Sequence, residues 1–324
     1  MEVIFLGTSS GTPTKTRNVS GIAIRRANAK AWSLIDCGEG TQQQILHTDL
    51  SLDHLTAIFI THVHGDHCYG LAGLLASTGM SGRTEPMLLV GPKPIQQMLM
   101  AIMENTQLKL SYEITFVDVL DINNPLNTRE FTVETIELSH RVPSFAYVFS
   151  EKNIERKLNV KKLKAAGIQP STLWGQLQAG EDVVLEDGSQ LKSADYLLPS
   201  RPPRKIIIAG DNDTPTLLTD DARTANTVIH EATFTQDIVK RIGNGPQHSS
   251  AKMVAQFAED ISIANLVLTH FSPRYRDSED TSPSIKDIEN EAREFYTGNL
   301  NLAKDLETYH LDIKGHLTRV EAKK

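Results

Sequence analysis

Residues Thr61-His62-Val63-His64-Gly65-Asp66-His67 set three imidazoles and a carboxylate within six positions. Clustered polar groups of this kind are costly to desolvate beside a core unless something binds or pairs them. Imidazole together with carboxylate suits zinc, and this many ligands on one short loop can feed two ions as well as one. The heptad directly follows Ala57-Ile58-Phe59-Ile60, an apolar run that reads as a buried strand. The end of such a strand is where an α/β fold mounts a site. A solvated loop that gathers three histidines by coincidence is the weaker reading.

The same arrangement, a polar ligand capping an apolar strand, recurs further along. His140 follows Thr135-Ile136-Glu137-Leu138-Ser139, and His270 follows Asn265-Leu266-Val267-Leu268-Thr269. Asp211 follows Ile206-Ile207-Ile208-Ala209-Gly210, where Gly210 would allow close backbone approach. His248 precedes Ser249 and Ser250, either of which would cap the next helix. These positions are expected to join the heptad in one metal site. His47, His54, His310 and His316 lack such placement and read as surface or packing residues. Met98, Met100 and Met103 read as core filler, and Cys37 and Cys68 as small buried hydrophobes.

The chain has 324 residues, enough for one large core or two modest ones, and ordinary apolar and charged content for a soluble domain. A net charge of −7 excludes a sticky non-specific nucleic-acid binder, though not a specific one with local basic patches. The N-terminus reads as a strand and not a signal peptide, no apolar stretch reaches membrane length, and two cysteines make no disulfide framework. The cytoplasm is the expected compartment. Strand patterns at 3–6, 21–25, 32–36, 57–60, 87–90, 112–119, 131–138, 145–149, 205–211, 227–232 and 266–270 alternate with helical ones at 42–47, 70–77, 94–105, 250–261 and 285–295. Two sheets with helices outside, an α/β sandwich, fit this pattern. Residues 151–204 interrupt it: a basic, helix-prone Glu151–Ala165 segment containing Glu155, a short strand before an Asp187-Gly188 turn, and several Gly and Pro residues. They read as an excursion inserted between core segments 1–150 and 205–324.

The heptad with His140, Asp211 and His270 resembles the metallo-β-lactamase superfamily, which implies an αββα sandwich with a dinuclear site at one edge of its sheets. Other segments are similar to the short bacterial form of the tRNase Z family: Pro13-Thr14-Lys15-Thr16-Arg17-Asn18, Asp36-Cys37-Gly38-Glu39-Gly40, Pro143-Ser144-Phe145-Ala146-Tyr147, His230-Glu231-Ala232-Thr233, His248-Ser249-Ser250 and Thr269-His270-Phe271-Ser272-Pro273-Arg274-Tyr275. That resemblance implies two zinc ions, with manganese or another divalent metal as a substitute. His62, His64 and His140 would hold one, Asp66, His67 and His270 the other, and Asp211 would bridge. It also implies Asp66 as general base, Glu231 and His248 assisting proton transfer to the leaving group, and RNA contacts by Lys15, Arg17, Asn18 and Arg274. Residues 151–204 would be a flexible arm gripping tRNA. The implied reaction is metal-activated hydrolysis that removes the 3′ trailer from precursor tRNA, leaving a 3′-hydroxyl on the tRNA and a 5′-phosphate on the trailer, by a homodimer with neither a membrane nor a DNA partner. A small-molecule metallohydrolase of the same superfamily, such as a cyclic-nucleotide phosphodiesterase, lactonase or thioesterase, is the alternative.

Overall fold

The computed structural model describes residues 1–320 apart from 153, 155, 186, 187, 244, 279 and 280. The chain divides into two compact units, Met1–Glu151 with Arg204–Lys324, and Lys152–Pro203.

In the larger unit the first half supplies β1 (Glu2–Gly7), β2 (Gly21–Arg25), β3 (Trp32–Ile35), β4 (Leu55–Phe59), β5 (Met87–Gly91), β6 (Ile114–Asp118), β7 (Leu126–Asn127), β8 (Phe131–Leu138) and β9 (Ser144–Glu151). The smaller unit carries the hairpin β10 (Val183–Val184) and β11 (Gln190–Leu191). The larger unit resumes with β12 (Lys205–Ala209), β13 (Thr227–Glu231), β14 (Asn265–Thr269), β15 (Asn299–Leu302), β16 (Thr308–Leu311) and β17 (Leu317–Val320). One sheet runs β17-β16-β1-β2-β3-β4-β5-β6 and the other β15-β14-β13-β12-β9-β8-β7. In both, strands that lead into the site pair parallel with a neighbour: β3 with β4, β12 with β13, and β13 with β14. They are buried on both faces, hence their unbroken apolar runs.

The sheets face one another through Phe5, Ile24 and Phe59 on one side and Tyr147, Phe149 and Ile208 on the other. The Phe59 ring meets Tyr147 and Phe149 edge-on at 5.1 and 5.3 Å, the favoured aromatic geometry. Helices Leu71–Met80 and Lys93–Thr106 cover the outer face of the first sheet with Leu74, Leu75, Ile95 and Leu99. Helices Ala251–Asp260 and Ile285–Phe295 cover the second with Val254, Phe257 and Ile288. This is the expected αββα sandwich.

Two cross-links bring the sheets together where β4 and β9 meet. The buried Tyr147 hydroxyl donates to the Ile60 carbonyl at 2.7 Å, and the Phe145 amide to the Thr61 carbonyl at 3.1 Å. Gly210 lies beside them. A Cβ there would stand 2.7 Å from Thr61 Cβ and 2.8 Å from Ser144 Oγ, so the close approach expected of Gly210 is real.

Three local expectations change. Met100 is 63% exposed, while Met98 and Met103 pack partly against the core, because Met100 falls on the outer side of its amphipathic helix. The segment read as helix from Glu151 begins instead as the end of β9, and its helix spans only Val160–Ala165; Glu155 and Asp187 lie outside the described residues. Strands β15 to β17 have no counterpart in the sequence reading, since segments such as Asn299-Leu300-Asn301-Leu302 are short and half polar. Among the described residues no helix is long and apolar enough to cross a membrane.

Candidate metal centre

His62 and His64 leave β4, while the one-turn helix Gly65–Cys68 presents Asp66 and His67. His140 follows β8, Asp211 follows β12 and His270 follows β14. The turn after β3 packs under the short helix: the Cys37 amide donates to the His67 carbonyl at 2.7 Å, and a Cβ on Gly38 would stand 2.3 Å from the Asp66 carbonyl oxygen.

The seven side chains meet as two groups joined at Asp211. In one, His64 Nδ1 lies 3.1 Å from His62 Nε2 and 3.2 Å from His140 Nε2, and Asp211 Oδ2 lies 3.6 and 3.7 Å from those two Nε2 atoms. In the other, His67 Nε2 and His270 Nε2 are 3.2 Å apart. Asp66 Oδ2 stands 3.4 and 3.3 Å from these nitrogens, and Asp211 Oδ1 3.4 Å from each. Ligands about 2.0–2.1 Å from a tetrahedral centre are about 3.3 Å from one another. Both groups have that edge length, and Asp211 offers one oxygen to each.

Hydrogen bonding gives an independent test of fit. His140 Nδ1 donates to the Gln247 carbonyl at 2.8 Å, which can only accept. His62 Nδ1 meets Thr61 Oγ1 at 3.0 Å, and that hydroxyl donates to Asp36 Oδ2 at 2.9 Å. Both rings therefore turn an Nε2 lone pair inward onto His64 Nδ1, which has at most one proton to share. A cation satisfies all three nitrogens, and among the described residues no other group does. Burial pushes all three imidazoles below the ordinary histidine value, so they are neutral as ligands must be. Burial also disfavours the His67 imidazolium, but Asp211, Asp36 and Asp66 outweigh it and raise its pKa well above normal. Cation binding at that position would expel a proton. For Asp66 and Asp211 burial opposes ionisation, and the surrounding imidazoles override it and hold both carboxyls well below the usual range.

Two hydroxyl–carboxylate relays that the sequence reading did not assign brace these rings. Asp36 accepts from His67 Nδ1 at 2.7 Å and, through Thr61, anchors His62. One carboxylate thus orients a ring in each group. Across the site, His270 Nδ1 meets Thr233 Oγ1 at 3.0 Å, and Thr233 donates to Glu231, which faces His248 Nδ1 at 3.0 Å. Asp36 and His270 sit at φ 58° and 56°, uncommon for residues other than glycine and typical of functional sites. Asp36→Asn is expected to weaken divalent-metal affinity by about 10–100-fold, because outer partners fix ring orientation and basicity. Calorimetric titration of the metal-free chain measures this, and unchanged affinity would remove Asp36 from the role.

Glu231 and His248 do stand together, as the sequence suggested. Burial disfavours the His248 imidazolium, but the Glu231 carboxylate outweighs it and raises the pKa to about 9. Cys68 lies outside the ligand groups: its Sγ donates to the His64 carbonyl at 3.2 Å, and burial pushes its thiol up to about 12.

The RNA contacts need correcting. Arg17 is 4% exposed, and its guanidinium is spent on Asp277 at 2.7 Å, Thr8 Oγ1 at 2.7 Å and the Ala303 carbonyl at 2.8 Å. Asn18 braces the same loop, donating from its side chain to the Glu39 carbonyl and from its amide to Asp305. Both hold a loop whose Gly11 amide donates to Asp66 Oδ2 at 2.7 Å. Both brace the loop, and the buried Arg17 guanidinium is not free to meet a phosphate. Lys15 and Arg274 are exposed. Arg141, which the sequence reading passed over, is exposed and lines the cavity of about 410 Å³ above the ligands, with Gly11, Glu39, Tyr69 and His248.

Relatives named ribonuclease Z match end to end. That of Marinobacter nauticus is 48% identical over 321 residues, 99% of each chain, and that of Pseudomonas putida 49% over 320 residues, 99% of this chain and 100% of its own. The chain belongs to the ribonuclease Z family. A more distant family member, from Brevibacillus brevis, is 40% identical over 94% of this chain and 95% of its own. The crystal structure of human tRNase Z, short form, superposes with a TM-score of 0.65 at 25% identity, covering 97% of this chain and all of that one. A metallo-beta-lactamase fold protein from Bacillus subtilis, 16% identical with a TM-score of 0.65 over 95% of this chain and 98% of its own, shares the fold. The family model of the anti-Pycsar protein Apyc1 matches residues 1–155, a stretch that includes the heptad and His140 and stops short of the remaining ligand positions.

Proposed function

We propose that the chain is a zinc-dependent endoribonuclease that removes the 3′ trailer from precursor tRNA, leaving a 3′-hydroxyl on the tRNA and a 5′-phosphate on the trailer. The observation that carries this reading is end-to-end similarity to ribonuclease Z relatives in a chain whose seven candidate ligands converge. His62, His64, His140 and Asp211 would hold one ion, and Asp66, His67, His270 and Asp211 a second. Bound ions would neutralise charge on the phosphate and make water acidic enough to attack at neutral pH.

The chain's own residues supply the rest. Asp66, fixed by the Gly11 amide, orients the attacking water and takes its proton. The water oxygen bonds to phosphorus in line, and the bond from phosphorus to the upstream 3′ oxygen breaks. His248 Nδ1 is engaged by Glu231, so Nε2 is the nitrogen that protonates the departing oxygen. Arg141 is placed to contact the phosphate in the cavity. Exposed Arg156, Lys157, Lys161, Lys162 and Lys164 give residues 152–203 a basic face for the RNA backbone.

Incubating the metal-replete chain with labelled precursor tRNA, and mapping cut site and end groups, tests this reading. Cyclic nucleotides or thioesters turned over while precursor tRNA stays intact would overturn it in favour of a small-molecule hydrolase. Deleting 155–195 is expected to weaken tRNA binding at least about tenfold at fixed salt, since several phosphate contacts go at once, while a small phosphodiester is still hydrolysed. Loss of both activities would make the segment structural.

A further inference from the structure

Beside the metal cavity lies a second hollow of about 310 Å³, walled by Phe234, Val239, Ile242 and Met253 with Gln236 and Gln247 at its polar edge. His248 lines both hollows. We propose that this slot receives the base of the nucleotide whose 3′ oxygen leaves, and so takes part in choosing the cut site. The inference rests on the proposed reaction, in which that oxygen takes its proton from His248.

Position, chemistry and rigidity support it. The ribose carrying the departing oxygen must lie against His248, and its base then extends from the shared wall into the slot. The volume is at the lower end of the range of about 300–1,000 Å³ for small-molecule pockets, suited to one flat ring system. Its lining has Asp213 and neither Lys nor Arg, which disfavours a phosphate and directs the backbone towards the Arg141 side. A lining that mixes apolar side chains with carboxamides matches a nucleobase, which has two apolar faces and a rim of donors and acceptors; RNA ends are read in this way. Gln236 Oε1 already accepts from Ser250 at 2.6 Å, leaving its NH₂ for a ligand. Phe234 is fixed between the Arg274 guanidinium at 5.1 Å and the His248 ring at 5.9 Å. Gln247, at φ 51°, lines the slot and also gives its carbonyl to His140. The slot wall and a candidate metal ligand are thus held by one residue.

Single-turnover cleavage tests this with two precursor tRNAs, one ordinary and one with an abasic nucleotide immediately 5′ of the cut. The wild-type, metal-replete chain is expected to cut the abasic RNA about tenfold more slowly, the loss that one missing stacked base gives. Ile242→Trp, at a rim position 38% exposed, should fill the slot. It should cut ordinary precursor about tenfold more slowly and lose less than about twofold more on the abasic RNA, since the contact is already gone. Equal wild-type rates on the two RNAs, or a full abasic penalty retained by Ile242→Trp, would overturn the slot and leave the reaction standing. A wild-type chain that cuts neither RNA overturns both.

Discussion

Asp211→Asn is expected to reduce phosphodiester hydrolysis by at least about 10³-fold, the several kcal/mol of charge stabilisation that bound metal supplies, and to lower the bound metal per chain. Asp211 is 3% exposed and is the residue common to both ligand groups, with Oδ1 at 3.4 Å from His67 and His270 and Oδ2 at 3.6 and 3.7 Å from His62 and His140. The amide keeps the shape but has one oxygen, so it cannot offer a ligand atom to each group. It also removes the charge that balances cations in a buried site. Elemental analysis of metal-reconstituted variant and wild type, alongside turnover of a small phosphodiester, measures both effects. A variant with full metal content and full activity would refute the shared-ligand arrangement. His47→Ala is the control: that residue lies apart from the ligand groups and should change neither quantity.

The ligands were legible because each follows a strand whose apolar run stands out in the sequence: β4 before the heptad, β8 before His140, β12 before Asp211 and β14 before His270. What could not be read locally was partnership. Asp36 acts on His67, 31 residues away, and no spacing rule joins them. The clue available was an aspartate directly after an apolar strand and before a Gly-rich turn; Asp211 likewise lies just past an apolar strand. Arg17 shows the opposite failure. An arginine in a polar loop reads as exposed, yet Asp277, 260 residues away, and the Phe271 ring at 5.0 Å draw it inside. Thr233 stood in a segment similar to the family yet had no role assigned to it, since a threonine after a strand is ordinary; only the positions of Glu231 and His270 make it a relay.

His248→Ala is expected to slow cleavage of precursor tRNA by about 10²–10⁴-fold, the range for loss of a positioned general acid. Its effect should depend on the leaving group. A ribose 3′ oxygen departs poorly as an alkoxide and needs the proton that His248 supplies, whereas a nitrophenolate departs unaided. The variant should therefore lose no more than about tenfold on bis(4-nitrophenyl) phosphate, with metal content unchanged. Glu231→Gln should show the same split in milder form, because the amide still contacts His248 but no longer favours its charged state. A ligand acting through the metal would fail differently, losing metal and both substrates together. Equal losses on RNA and on the nitrophenyl ester would thus move His248 out of proton transfer and into support of the ligand rings, where its ring lies 5.1 Å from that of His140.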